Sequence, residues 1–422
     1  MLKKIAIAAV LSLALLALPS AAAADPLMSW SPPLQLDDGT VGKVSVEPEL
    51  TSVSCPSASF CAAIGTLGRL YTSTDPTDPA GWTEATIWTG EIGDLECASP
   101  TWCVAVGDGP VLLYSTDPGG GAAAWSDVSL PEGRRISCPS ADFCARLAGE
   151  DEVLTSTEPL GGAGTWTATD LELPEWRLGP NFLHRVDCPT ADLCAVSGDV
   201  GTVLASSDPT GGVDAWVKSF IGAKDVYNNG AGPSVDGLDC TAASFCAATT
   251  WGDTVATTDD PLGGTSAWDL SQADEAFFIQ QISCAEDASL CVAVDRNGYA
   301  ITSRNPGTLS AEWGTFEPIG DPETLRDVSC APDGSLCAVV DSKGRVIVGT
   351  PRPDEGGQPG GGFPPPGQGN PLPDPPRRPP CKPKQPKSHN PQKKASKRQA
   401  IGQARKVSSA GKRPKSRCGR PR

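Results

Sequence analysis

Histidine is almost missing from this chain: 422 residues hold two, His184 and His389. Methionine also numbers two, tyrosine four, and aromatic residues make up 6%. Too few imidazoles remain for a usual zinc site. There is no phosphate-binding glycine loop, no nucleophile elbow and no cluster of metal-ligand residue types. The catalytic classes built on those motifs drop out, no cofactor is expected, and no catalytic residue can be placed. Beyond the first twenty or so residues, no apolar run approaches the length of a membrane span.

The start of the chain reads as a secretory signal peptide over residues 1–24. Lys3 and Lys4 are followed by an apolar run from Ile5 to Leu18, and Ala22-Ala23-Ala24 offers a small-residue cleavage site before Asp25. The mature protein is therefore expected to be exported, secreted or associated with a cell wall.

Cysteine is abundant, with 16 residues. Fourteen of them fall into seven short-spaced pairs: Cys55/Cys61, Cys97/Cys103, Cys138/Cys144, Cys188/Cys194, Cys240/Cys246, Cys284/Cys291 and Cys330/Cys337. In an exported chain this regular spacing reads as disulfides, each stapling one turn. Cys381 and Cys418 are a further candidate pair.

The pairs mark an internal repeat. A proline stands 15 residues after the second cysteine in six copies (Pro76, Pro118, Pro159, Pro209, Pro261, Pro306), and a tryptophan 21 or 22 residues after it (Trp82, Trp125, Trp166, Trp216, Trp268, Trp313). Each unit reads as four short strands, the period of a propeller blade. The seventh copy has no tryptophan, but Ser29-Trp30-Ser31 precedes the first and matches Ala124-Trp125-Ser126. The predicted fold is all-β: a seven-bladed β-propeller over residues 25–350, its last blade completed by the N-terminal strand, which removes the open sheet edge.

Charge divides the chain. Residues 25–350 carry 14 Lys and Arg against 47 Asp and Glu, whereas residues 351–422 carry 18 against 3. The acidic ring should repel nucleic acid. Residues 351–380, with 12 prolines and 7 glycines, read as a linker. Residues 381–422 are basic, too poor in large apolar side chains to build a core, and are expected to be disordered. They could tether the protein to anionic envelope polymers, or simply stay solvated.

The pattern Ser115-Thr116-Asp117-Pro118-Gly119-Gly120 through Trp125 resembles the sialidase-type Asp-box repeat and the blades of photosystem II assembly-factor propellers. Cysteines stand where that second family has Phe and Gly or Trp. The resemblance spans residues 29–350. It implies that binding sites lie on the face of the inter-blade links, and that Asp75, Asp117, Asp208 and Asp260 fix turns. A sialidase would need an arginine triad and a tyrosine nucleophile. Tyr71, Tyr114 and Tyr299 fall in or beside repeat strands, which leaves Tyr227.

Departures from the repeat locate the candidate site. Neighbouring pairs are 41–46 residues apart, except for 50 from Cys138 to Cys188 and 52 from Cys188 to Cys240. The insertions bring Trp176, Arg177, Asn181, His184 and Arg185 together with Tyr227, Asn228 and Asn229, and Trp251 adjoins them. Aromatic rings with amides and charges suit a glycan or protein ligand. The plainer reading is that the links cover the ring mouth, with Trp176 and Phe182 packed down. The expected function is a secreted, monomeric binding or scaffold propeller; the alternative is a glycoside hydrolase of sialidase-like fold, resting on paired carboxylates.

Overall fold

The computed structural model describes residues 27–41, 44–107, 109–173, 181–221, 233–242, 244–250, 252–273, 278–307, 313 and 316–352. The signal peptide, the basic tail with Cys381 and Cys418, and the candidates Trp176, Arg177, Tyr227, Asn228, Asn229 and Trp251 lie outside them.

Seven antiparallel sheets form the blades, six of four strands over residues 50–86, 92–129, 134–170, 183–220, 235–272 and 279–318, and a seventh over 325–351 completed by Met28–Trp30 and the short strand Leu34–Gln35. The chain is an all-β seven-bladed propeller. The N-terminal strand closes blade 7, with Met28 opposite Pro351 and Trp30 opposite Gly349. Gly349 is needed there, because a Cβ would sit 2.6 Å from the Trp30 ring.

Small apolar residues dominate the second strand of the blades, blade 3 carrying the buried Arg146 there, and these strands are buried along most of their length: Ala62-Ala63-Ile64, Val104-Ala105-Val106 and Ala338-Val339-Val340 are all at most 1% exposed. The core lies between blades rather than at one centre. Each of the seven junctions holds one apolar cluster. Each blade tryptophan, Trp30 included, packs in the junction before its own blade, as Trp216 of blade 4 does against Phe143 and Leu147 of blade 3.

Seven disulfides join the partners that the spacing predicts. They are Cys55–Cys61, Cys97–Cys103, Cys138–Cys144 and Cys188–Cys194 in blades 1 to 4, then Cys240–Cys246, Cys284–Cys291 and Cys330–Cys337 in blades 5 to 7. Each ties the first strand of a blade to the second, with Cα atoms 3.9–4.2 Å apart. Seven such bonds suit an oxidising compartment. Among the described residues no helix is long and apolar enough to cross a membrane.

In the turns before the tryptophans, the Asp75 carboxylate accepts from the Thr77 hydroxyl at 2.7 Å and Asp208 from the Thr210 hydroxyl at 3.0 Å, and backbone bonds add to them. The hydroxyl two residues earlier accepts the amide of the acidic residue: Ser115 from Asp117 at 3.0 Å, Ser206 from Asp208 at 3.1 Å, Thr258 from Asp260 at 3.0 Å. The repeated proline is buried and the carboxylates are exposed. Glycine follows because a Cβ on Gly120, Gly211 or Gly263 would meet that carboxylate at 2.4–2.7 Å.

Candidate functional site

The innermost strand of each blade lines a central channel. Its side chains alternate, so every second residue faces the axis. The residue just before the first cysteine is polar in all seven blades: Ser54, Glu96, Ser137, Asp187, Asp239, Ser283 and Ser329. Each accepts a hydrogen bond from the backbone amide of the first cysteine in the next blade. Cys97 donates to Ser54 (3.0 Å), Cys188 to Ser137 (2.9 Å), Cys284 to Asp239 (2.9 Å) and Cys330 to Ser283 (3.0 Å). Cys138 donates to Glu96 and Cys240 to Asp187. Cys55 donates to Ser329 (2.9 Å) and completes the circle. The belt gives each amide at the ring axis a partner that its own sheet does not supply.

The two members of each disulfide therefore differ in role. The first cysteine stands on the channel strand and its amide joins the belt. The second cysteines, Cys61, Cys103, Cys144, Cys194, Cys246, Cys291 and Cys337, are fully buried on the strand behind. They line no part of the channel, so they are staples of the blade and not residues of the site.

Two residues earlier along the channel strand the charge changes. Arg135 and Arg185 stand here with Asp94, Gln281 and Asp327. Asp327 accepts from the Val53 amide and the Ser52 hydroxyl, both at 3.1 Å, and Asp94 from the Ile136 amide at 2.8 Å. Arg135 reaches Asp94 at 3.3 Å, and Arg185 Nε donates to the Asp236 carbonyl at 3.2 Å.

The arginine layer divides the channel into two spaces. Toward the inter-blade links, a cavity of about 400 Å³ is lined by Arg135, Arg185, Arg326, His184, Asp236, Gln280 and Gln281 with Thr51 and Gly93. Toward the disulfide hairpins, a chamber of about 290 Å³ carries Glu96, Asp187, Asp239 and Glu286 and shares Arg135 and Arg185 with the first cavity as its floor. The three arginines thus gather toward the inter-blade links, Arg135 paired with Asp94 and Arg326 with Glu49 at 2.9 Å, while Glu96, Asp187 and Asp239 gather toward the hairpins.

Of the sequence-predicted ligand site, His184 and Arg185 are described, and the structure corrects their setting. They belong to the inner strand Leu183–Thr190 rather than to a loop. His184 Nε2 lies 2.9 Å from Asp199. Burial works against the Asp199 carboxylate, yet the bonds from His184 and from the Phe182 amide hold it below the usual range. Asn181 and Phe182 exchange roles: Asn181 is buried at 4% exposure, while Phe182 is 39% exposed. Among the described residues no tyrosine lines either space, and no group of three potential ligands could hold a metal ion. Sequence reading missed the belt and Arg135 and Arg326; a polar residue before the first cysteine in every copy was the available signal for the belt.

Packing inside the channel shifts these groups. Burial pushes the Glu96 carboxyl up to about 8, helped by repulsion from Asp187. Burial raises Asp187, Asp239 and Asp327 as well, with repulsion from Asp187 adding at Asp239. Burial lowers Arg185 to about 10, with Arg135 adding repulsion. The folded ring therefore holds protons that the unfolded chain releases. That stabilisation is complete below about pH 4 and is lost as pH rises toward 8. Urea unfolding should show stability falling by about 3 kcal/mol from pH 5 to 8.5, less than ideal linkage gives because channel water reaches the carboxyls. Glu96→Gln keeps an acceptor for the Cys138 amide and should flatten part of this slope; a wild-type midpoint equal at both pH values would refute it.

No family model matches the chain, and no curated protein matches it. Solved propellers do. The structure of YCF48 bound to a D1 peptide is similar with a TM-score of 0.55 at 11% identity, covering 76% of this chain and 97% of that one. YCF48 from Cyanidioschyzon merolae is similar with a TM-score of 0.53 at 13% identity, over 76% and 98% of the two chains. What the chain shares with these photosystem II assembly-factor propellers is the seven-bladed fold.

Proposed function

We propose that this is a secreted binding scaffold whose arginine-lined mouth receives an anionic part of a polypeptide partner. One observation carries the reading. Residues 25–350 are strongly acidic, yet three of their 14 Lys and Arg residues, Arg135, Arg185 and Arg326, meet with His184 around one cavity. A guanidinium cluster in a partly closed cavity suits carboxylate recognition. The peptide-bound YCF48 structure shows a protein of this fold holding a polypeptide.

A glycan is the second occupant of the same face. The exposed Phe182 ring two residues before His184 in the chain and the amides of Gln280 and Gln281 favour it, and Trp176, Arg177, Tyr227, Asn228, Asn229 and Trp251 would extend that surface. In the same proposal residues 1–24 direct export, residues 351–380 act as a linker, and the basic segment 381–422 tethers the ring to anionic envelope polymers. Glycoside hydrolysis remains the alternative activity, with the protonated Glu96 carboxyl as its candidate acid.

The test is binding of fluorescein-labelled peptides, with a free or an amidated C-terminus and with acidic or neutral sequence, alongside a glycan array. Acidic peptides should bind, more weakly as salt rises. Arg326→Gln and Arg135→Gln should each weaken them by about 10-fold. Peptide affinity that ignores both substitutions would sink the proposal, and array hits without peptide binding would give the face to a glycan.

A further inference from the structure

We propose that the arginine mouth takes a dipolar occupant, a carboxylate accompanied by an ammonium or guanidinium group, and that Asp236 is the residue that selects the cationic part. This requirement rests on the peptide-binding reading of that mouth and adds what the peptide carries beside its acidic group.

The mouth is built by β-bulges. The first strand of each blade pairs with the second in a register that skips one residue near its start: Thr51, Gly93, Arg135, His184, Asp236, Gln280 and Arg326 in blades 1 to 7. All of them line the cavity of about 400 Å³. A bulge re-aims a side chain without ending the sheet. The bulged residue stands four before the first cysteine in six blades, and three before Cys138 in blade 3, so that Arg135 and not Arg134 meets the cavity. Arg135 takes a φ of 39° there, in the left-handed region that non-glycine residues seldom adopt. Backbone strain of this kind gathers at functional sites.

The bulged side chains differ around the ring, whereas the residue two before the first cysteine is aliphatic in every blade. The two short uncharged ones, Thr51 and Gly93, stand next to each other between Arg326 and Arg135. A Cβ on Gly93 would meet nothing within 4 Å, so this gap is open. Arg326 pairs with Glu49 through Nε, and Arg135 reaches Asp94 and the Gly93 carbonyl through Nη1. Nη2 of each guanidinium is left for a carboxylate in the gap.

In a ring of seven, blade 5 lies opposite the interval between blades 1 and 2, and blade 5 brings Asp236. Its carboxylate accepts from the Ser234 hydroxyl at 2.5 Å, while Arg185 donates to its backbone carbonyl. Among the described residues no ion pair reaches that carboxylate. Charges of both signs therefore face one cavity from opposite sides. An anion alone is drawn to the arginines and repelled by Asp236; an occupant that also carries a cation satisfies both. In a polypeptide this is a glutamate or aspartate with a lysine or arginine a few residues away.

The test is fluorescence anisotropy of the full chain with fluorescein-labelled, C-terminally amidated glycine peptides that carry one glutamate and, a few positions away, either lysine or norleucine. The lysine peptide should bind at least about 5-fold tighter than its norleucine twin. Asp236→Asn keeps the acceptor for Ser234 and should move the two in opposite directions, weakening the lysine peptide and strengthening the norleucine one by about 3-fold each. A folding defect cannot produce that crossing. Asp117→Asn, in an exposed turn before Trp125, should leave the lysine preference intact, which separates Asp236 from the acidity of the ring as a whole. Gly93→Phe should fill the gap and weaken both peptides by about 10-fold at an unchanged melting temperature. If Asp236→Asn does not fold, the wild-type preference and Gly93→Phe decide. Binding without a lysine preference, Asp236→Asn shifting both peptides alike, or Gly93→Phe without effect would overturn the dipolar occupant and leave the arginine mouth standing as an acidic-peptide site; binding of neither peptide would remove both.

Discussion

Unfolded and reduced, then returned to buffer with the reductant still present, the ring should not refold. Each disulfide closes a loop of about seven residues and stabilises by about 2 kcal/mol in the chain-entropy estimate. Seven together match or exceed the 5–15 kcal/mol by which a typical domain is stable. Far-ultraviolet circular dichroism should show the strand signal lost. The native protein should resist the same reductant, because both cysteines of every pair are at most 7% exposed, and a thiolate attacks only the sulfur it can reach. Refolding under oxidant should be efficient, since the partners are only 6 or 7 residues apart. A cooperative native-like melt in the fully reduced protein would show that packing between blades suffices without the staples.

Asp37→Ala should cost about 3–5 kcal/mol, the usual penalty for stranding one member of a buried ion pair. Asp37 lies where the N-terminal segment crosses from blade 7 to blade 1, and it is fully buried. Its amide and that of Leu36 donate to the Gly344 carbonyl of blade 7. Its carboxylate accepts from the Thr66 amide at 2.9 Å, the Thr66 hydroxyl at 2.8 Å, the Gly39 amide at 2.8 Å, and the guanidinium of Arg69 in blade 1. The residue therefore bolts the closing segment to both blades it joins. Arg69, at 3% exposure, would be left with only the half-exposed Glu84 at 4.0 Å as a counter-charge. Replacing both partners, Asp37→Leu with Arg69→Met, should recover much of the loss. The check is urea unfolding of the two single variants and the double. Equal stability of Asp37→Ala and the wild type would show that strand pairing through Trp30 closes the ring alone.

The blade count, the disulfide pairing and the closure at Trp30 were legible in the chain because all three recur at fixed offsets. Seven equal units leave one ring geometry, and a fragment resembling a missing piece has one place to go. The site was less legible. Length differences between copies pointed to the links between blades 3, 4 and 5, and found His184 and Arg185. They could not find Arg135 or Arg326, which sit in units of ordinary length.

Sequence by itself determined the fold, the compartment suited by the cysteines, and the overall acidity of residues 25–350. Only the tertiary structure decided where charge of each sign collects. Arg135, Arg185 and Arg326 are 50 and 141 residues apart along the chain, and they meet because the inner strands of blades 3, 4 and 7 face one axis. The alternation of a strand says that its side chains point two ways, but not which way is the channel. The belt shows the same limit. A polar residue before each first cysteine is visible in the sequence, but its partner is in the next blade, and for Ser329 it is Cys55 at the other end of the ring. Hydrogen bonds that span a whole repeat, and charges that converge only on closure, are properties of the closed circle.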